Sequence, residues 1–299
     1  MIDIANSNME GIYPILSMPF DDNDQIDYDD LTNEVEFAIK SGAHGLGNAL
    51  ASELYKLTEH ERDQVTKLVV SQASNRVKIV INTGAHATKI AIAQSKIAEE
   101  LGADSVMIAP SNMISLSTSE LYNYFSDISN EIKIPIFIQD LPNAPVPPDI
   151  IVKLSNEFEN LCYAKIEVPP TPNRMLKAVG LKPTNLTIFG GLGGNMFLEE
   201  MRRGSRGTMP NCAIPDLFRS VWNNYENGNK QEAQQLFDKM GTILRTISQG
   251  SGTSSLIVVK EILKARGIFK KANVRQPSTK LDKTTNSEIL SALESLSLY

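Results

Sequence analysis

Ile134-Pro135-Ile136-Phe137-Ile138-Gln139-Asp140-Leu141 is apolar at consecutive rather than alternate positions, and Val77-Lys78-Ile79-Val80-Ile81-Asn82 has the same character. A strand that is apolar on both faces is covered on both, the habit of parallel sheets flanked by helices. Outward from these two stretches, further short apolar runs fall at 12–20, 45–50, 105–110, 162–168, 186–190 and 207–209. Helix-length segments separate them. Asp27 precedes one; Thr58 with Glu61 and Ser117 with Glu120 read as capping boxes. The glycines of Lys40-Ser41-Gly42-Ala43, Glu100-Leu101-Gly102-Ala103 and Lys177-Ala178-Val179-Gly180 predict left-handed helix stops. Run starts recur every ~25–35 residues, the size of one strand-plus-helix unit. Eight such units without an early dinucleotide-type glycine turn predict a closed (β/α)8 TIM barrel instead of an open doubly wound sheet. Helices alone follow, at 216–226, 230–248, 254–266 and 287–297, so residues 1–225 are expected to form the barrel and 226–299 a C-terminal helical region packed on it. The polar stretch 270–285 reads as a long, solvated connection.

Composition narrows the function. The 299 residues are 41% hydrophobic, enough for a sizeable core, and 35 acidic against 29 basic residues leave a formal charge of -6. No basic field is available for a nucleic-acid backbone. With Cys162 and Cys212 as the two cysteines, neither a disulfide framework nor a multi-cysteine metal site is expected. His44, His60 and His86 are too scattered for a helical zinc pair. There is no 18-residue apolar run, and Met1 to Tyr13 lacks the look of a secretory leader. A cytoplasmic protein needing no metal or cofactor, and binding no membrane, is the expectation.

Barrel enzymes carry their chemistry at the carboxyl ends of the strands. Lys165 is the residue there that breaks the apolar pattern, in Cys162-Tyr163-Ala164-Lys165-Ile166-Glu167-Val168. A buried ammonium is costly unless paired or used, and burial favours the neutral amine that condenses with carbonyls. Period-two geometry sets Lys165 and Glu167 on one face of the strand. From this pattern alone, a structural ion pair and Schiff-base chemistry are both open. Glu53, next to Leu54 and Tyr55, is expected to satisfy backbone amides in its turn. His86 starts a helix or contacts a substrate hydroxyl, Cys162 is a small core residue, and the 190–194 glycine loop allows close backbone approach.

The order Gly11-Ile12-Tyr13-Pro14-Ile15-Leu16-Ser17-Met18-Pro19-Phe20, Ser52-Glu53, Asn82-Thr83-Gly84-Ala85-His86, the 134–142 strand, Tyr163-Ala164-Lys165-Ile166-Glu167, the 189–194 loop and Arg206-Gly207-Thr208-Met209-Pro210-Asn211 resembles the dihydrodipicolinate synthase and N-acetylneuraminate lyase superfamily. The resemblance spans nearly the whole chain. It implies a class I lyase on a (β/α)8 barrel, a homotetramer, and an imine formed by Lys165 with a 2-keto acid. It also exposes departures. Ala49, Leu50, Ala51 and Ser52 replace the usual glycine, two hydroxyl residues and glycine. Gln139 stands where a catalytic tyrosine is usual, Ser111 and Asn112 where a tyrosine pair is, and Ala144 where the synthases carry an arginine.

An amide cannot relay a proton as a phenol does, so these departures weigh against aldol chemistry, which must move a proton at the C4 hydroxyl. Dehydration needs a base at C3, and Glu167 is the candidate. Lys-x-Glu on the sixth strand with Gln-Asp on the fifth is similar to the 2-keto-3-deoxy sugar acid dehydratase branch. The expected catalytic group is Lys165, Glu167 and Gln139. Substrate binding falls to Ser52 with the Asn48, Leu50 and Ala51 backbone for the carboxylate, Asn112 and Asn211 for hydroxyls, and Gly191 and Met209 as walls. Two other functions fit the residues less well: a carbon-carbon lyase or 4-hydroxy-tetrahydrodipicolinate synthase using pyruvate, and a non-catalytic 2-keto acid binding protein.

Overall fold

The computed structural model of the protein describes residues 8–248 and 253–298; part of the leader reading falls on residues 1–7, outside them. Eight parallel strands alternate with helices: β1 (Gly11–Ile12), α1 (Tyr28–Lys40), β2 (Gly45–Asn48), α2 (Glu59–Ala73), β3 (Lys78–Asn82), α3 (Thr88–Glu100), β4 (Ser105–Ile108), α4 (Thr118–Glu131), β5 (Ile136–Asp140), α5 (Pro148–Glu157), β6 (Tyr163–Ile166), α6 (Thr171–Gly180), β7 (Thr187–Gly190), α7 (Phe197–Met201), β8 (Gly207–Thr208) and α8 (Pro215–Glu226). Helices α9 (Lys230–Ser248), α10 (Ser254–Ala265) and α11 (Lys283–Ser295) complete the chain. The strand order runs β1-β8-β7-β6-β5-β4-β3-β2, and a single parallel bridge between Ile15 and Gly47 brings the last edges together. This is the (β/α)8 barrel that continuously apolar strands dictate, since both of their faces must be covered.

The two strand faces feed different cores. Leu46, Ile79, Ile81, Val106, Ile108, Ile136 and Ile138 face outward and pack under the helices. Tyr13, Val80, Met107, Phe137, Tyr163, Phe189 and Met209 fill the barrel. Phe137 stacks on Tyr163 with ring centroids 4.6 Å apart. Gly45 is required opposite Tyr13, because a Cβ there would lie 2.0 Å from the Tyr13 ring. A third core joins Ile12 to α7–α11 through Phe197, Phe218, Trp222, Phe237 and Ile262.

The structure shortens several expected elements. The first strand ends at Ile12, not Phe20, because Pro14 and Pro19 have no N–H for a ladder and Glu34 takes the Ser17 N–H. Gly42 and Gly102 are left-handed stops, but Gly180 belongs to the last turn of α6, and Lys182 adopts the positive φ instead. The final helix starts at Lys283, not Ser287, since Asp282 caps it by accepting the Thr285 N–H at 2.9 Å. The 270–285 stretch is solvated as expected, with no buried residue, but it is also tied down by ion pairs. Lys270, Lys271 and Arg275 pair with Asp27, Asp22 and Glu61, binding the connection to the acidic 21–27 loop and to α2.

Candidate active site

Pairing aligns Gln139 of β5 with Lys165 of β6 and Phe189 of β7 at one level of the barrel. Alternation turns Phe137 and Gln139 inward on one strand, and Tyr163, Lys165 and Glu167 inward on the next. Lys165 Nζ lies 3.3 Å from Glu167 Oε2, with both side chains nearly buried. Glu167 is held from two other sides. Gln139 Nε2 donates to its Oε2 at 2.8 Å, and the Leu192 N–H donates to its Oε1 at 3.0 Å. Behind Gln139, Asn82 Nδ2 donates to Gln139 Oε1 at 2.9 Å. Gly191 admits the carboxylate; a Cβ there would sit 2.3 Å from Glu167 Oε1.

Lys165 and Glu167 open onto a cavity of about 380 Å³. Ser17, Ala51, Leu192, Met209 and Asn211 line it from the barrel, and Leu256, Val259 and Lys260 from α10. Asn211 Oδ1 accepts the Ala213 N–H at 3.1 Å, while its Nδ2 is buried without a partner among the described residues. An unpaired buried donor beside a cavity is a ready contact for a ligand oxygen. The expected residues Lys165, Glu167, Gln139, Ala51, Met209, Asn211 and Gly191 therefore converge.

Four do not. Asn48 follows Gly47 on β2, and with the inward positions of that strand taken by Gly45 and Gly47 its amide points out of the barrel, among Thr66, Ile81 and Ala98. Ser52 is fully buried, and its hydroxyl donates to the Leu16 carbonyl while accepting the Ala49 N–H at 3.0 Å. Its single proton is committed to the fold and is not available to a carboxylate. Leu50 and the exposed Asn112 line a separate depression with Tyr55 and His86, and His86 Nδ1 is 3.2 Å from Ser111 Oγ. Glu53, expected to meet backbone amides, instead binds two ammonium groups, Lys56 Nζ at 3.0 Å and Lys260 Nζ. Asp140, next to Gln139, faces outward and is clamped by Arg174 and the Val146 N–H.

Lys260 and Glu34 are among the buried titratable groups that were not anticipated. Lys260 is 1% exposed; besides Glu53 it donates to the Asn273 carbonyl at 2.8 Å and lies over the Phe20 ring. Burial pushes its pKa down to about 8, against the opposing pull of Glu53. Glu34 accepts the Ser17 N–H with both oxygens and is pushed up to about 8 by burial. The signal for Lys260 was present: Leu256-Ile257-Val258-Val259-Lys260 breaks an apolar run with an ammonium just as the β6 strand does. Glu34 carries no comparable signal, being one acid among many on α1. Cys162 belongs to the interior core, where burial pushes its thiol up to about 12, out of range for a nucleophile.

A parallel barrel with a buried lysine–carboxylate pair at the mouth defines the class. Residues 8–296 match the Dihydrodipicolinate synthetase family, and the chain belongs to it. It is a lyase of that family. Among its relatives, the L-2-keto-3-deoxyarabonate dehydratase of Azospirillum brasilense is 25% identical over 297 residues, covering 97% of this chain and 95% of the relative. A 4-hydroxy-tetrahydrodipicolinate synthase of Methanococcus maripaludis is also 25% identical, over 97% of this chain and 99% of its own. The crystal structure of dihydrodipicolinate synthase from Rhodopseudomonas palustris superposes with a TM-score of 0.90 at 23% identity, covering 97% of this chain and 98% of that one, and it speaks to the fold.

Proposed function

We propose that the protein is a Schiff-base dehydratase acting on a 2-keto-3-deoxy sugar acid. Lys165 Nζ adds to the C2 ketone, and loss of water leaves an iminium. Glu167 then takes a C3 proton, and the C–H electron pair neutralises the iminium as an enamine. The enamine expels the C4 hydroxyl, which leaves as water with the proton Glu167 carries; Glu167, again a carboxylate, takes a C5 proton and returns it to C3, the resulting C5 enol becomes the aldehyde, and water hydrolyses the iminium to free Lys165. The first N–H groups of the Leu50–Ser52 turn have no carbonyl one turn behind them and can receive the substrate carboxylate beside Ala51. Asn211 Nδ2 donates to a substrate hydroxyl.

The observation that carries this reading is the Lys165–Glu167 pair with Gln139 bonded to the carboxylate. Among the described residues, the lining of the cavity includes no tyrosine. A carboxylate for the C3 proton is in place, and the phenol usual for the aldol step is not. The sugar-acid dehydratase among the relatives agrees with it. Self-association in a homo-oligomer and a cytoplasmic setting belong to the same proposal; exposed Tyr55, Met113 and Ile114 support the former. The test is product analysis with 2-keto-3-deoxy-pentonates. A semialdehyde without pyruvate is expected, and pyruvate detected with coupled lactate dehydrogenase would make the protein an aldolase.

A further inference from the structure

The amides behind Glu167 have only one consistent arrangement. A carboxylate can only accept, so Gln139 must turn its NH2 towards Glu167 Oε2, which leaves its carbonyl facing Asn82. Asn82 must then present its own NH2. Both residues are 2% exposed, and Asn82 also lines two hollows beside Ile90 and Gln94. Arg62 anchors the same residue by donating to the Asn82 backbone carbonyl at 3.1 Å. Asn82 touches neither Lys165 nor the cavity that Lys165 lines.

We propose that Asn82 is a positioning residue that locks the Gln139 amide so that Glu167 is offered to the imine as an unprotonated acceptor. The inference rests on the reading of Glu167 as the C3 base. Were Gln139 to turn over, its carbonyl would meet Glu167 Oε2, and two acceptors can share that contact only if the carboxyl takes a proton and ceases to be a base. Asn82 opposes this by donating to the Gln139 carbonyl, so that Gln139 can turn only if Asn82 turns with it or loses its partner.

The test uses pyruvate in deuterium oxide, where imine formation, removal of a methyl proton and return of a deuteron label the methyl group without any sugar acid. NMR reads the exchange rate, and borohydride trapping on Lys165 shows that each variant still folds and forms the imine. N82D at pH 8 is nearly isosteric but brings an acceptor, so it competes with Glu167 for the one NH2 group of Gln139. N82L removes the donor and adds no competitor. The saturating rate is expected to fall on the order of 30-fold in N82D and about 5-fold in N82L, with the half-saturating pyruvate concentration within about 2-fold of wild type. A packing role predicts the opposite order. In a Q139L background the two substitutions are expected to become equivalent, because the relay is already cut.

An N82D rate within about 2-fold of wild type, or a difference between N82D and N82L that survives Q139L, overturns the proposal. If N82D does not fold, N82L decides alone: its loss must vanish in the Q139L background. Wild-type protein that is trapped but does not exchange defeats the assignment of Glu167 and this inference with it. Wild-type exchange that is indifferent to Asn82 defeats this inference only.

Discussion

Two buried lysines border one cavity and are held in opposite ways. Lys165, on β6, has Glu167 at 3.3 Å as its one ion pair among the described residues, and that carboxylate is already bonded to Gln139 and Leu192. Lys260, on α10, is saturated by Glu53, the Asn273 carbonyl and the face of Phe20. Burial alone does not separate a reactive amine from a structural one. The number of partners does: a loosely held amine can leave its partner for a ketone, whereas a saturated one ties the C-terminal helices to the Glu53 turn at the barrel's mouth.

The sharpest break of this contrast is removal of each amine in turn. K165R keeps the charge and loses the nucleophile, so borohydride trapping of pyruvate should vanish and turnover fall by at least ~10³-fold, with thermal stability near wild type. K260M should do the reverse. Leaving Glu53 buried with Lys56 as its remaining cation is expected to cost about 3–5 kcal/mol in denaturant unfolding, while mass mapping still finds the Lys165 adduct. Equal loss of trapping in both would erase the distinction.

Smaller effects sharpen the border between fold and site. S52A is expected to lower stability by about 1–2 kcal/mol through the Leu16 and Ala49 contacts, yet change the pyruvate concentration that half-saturates trapping by less than about 2-fold. A large rise in that concentration would return Ser52 to the substrate. A last effect is a slope with pH. The folded-state pKa of Glu34 is raised to about 8 by burial, so between its unfolded value of 4.5 and about 8 the native state binds more protons than the unfolded one. Stability contributed by Glu34 is therefore full below 4.5 and declines as pH rises towards 8. Replacing the group by E34Q should flatten that part of the Tm profile, and an unchanged slope would place the titration elsewhere.

The barrel, its eight strands and the Lys165–Glu167 pair were legible because each follows from a local rule. Consecutive apolar residues demand cover on both faces, and residues two apart on a strand share a side. Where the Asn48 and Ser52 side chains go depends on facts no spacing contains. Gly45 and Gly47 hold the inward positions of β2 because Tyr13 and Ile15 fill the space beside them, and the Ser52 proton goes to Leu16, thirty-six residues earlier. Lys260 was overlooked for a related reason: α10 reaches the mouth only after the whole chain has wrapped around the barrel. The sequence determines which residues can react, through side-chain chemistry and the period of the strand. Only tertiary contact decides which of them keep a free valence, since the partners that consume a proton or a lone pair come from distant segments.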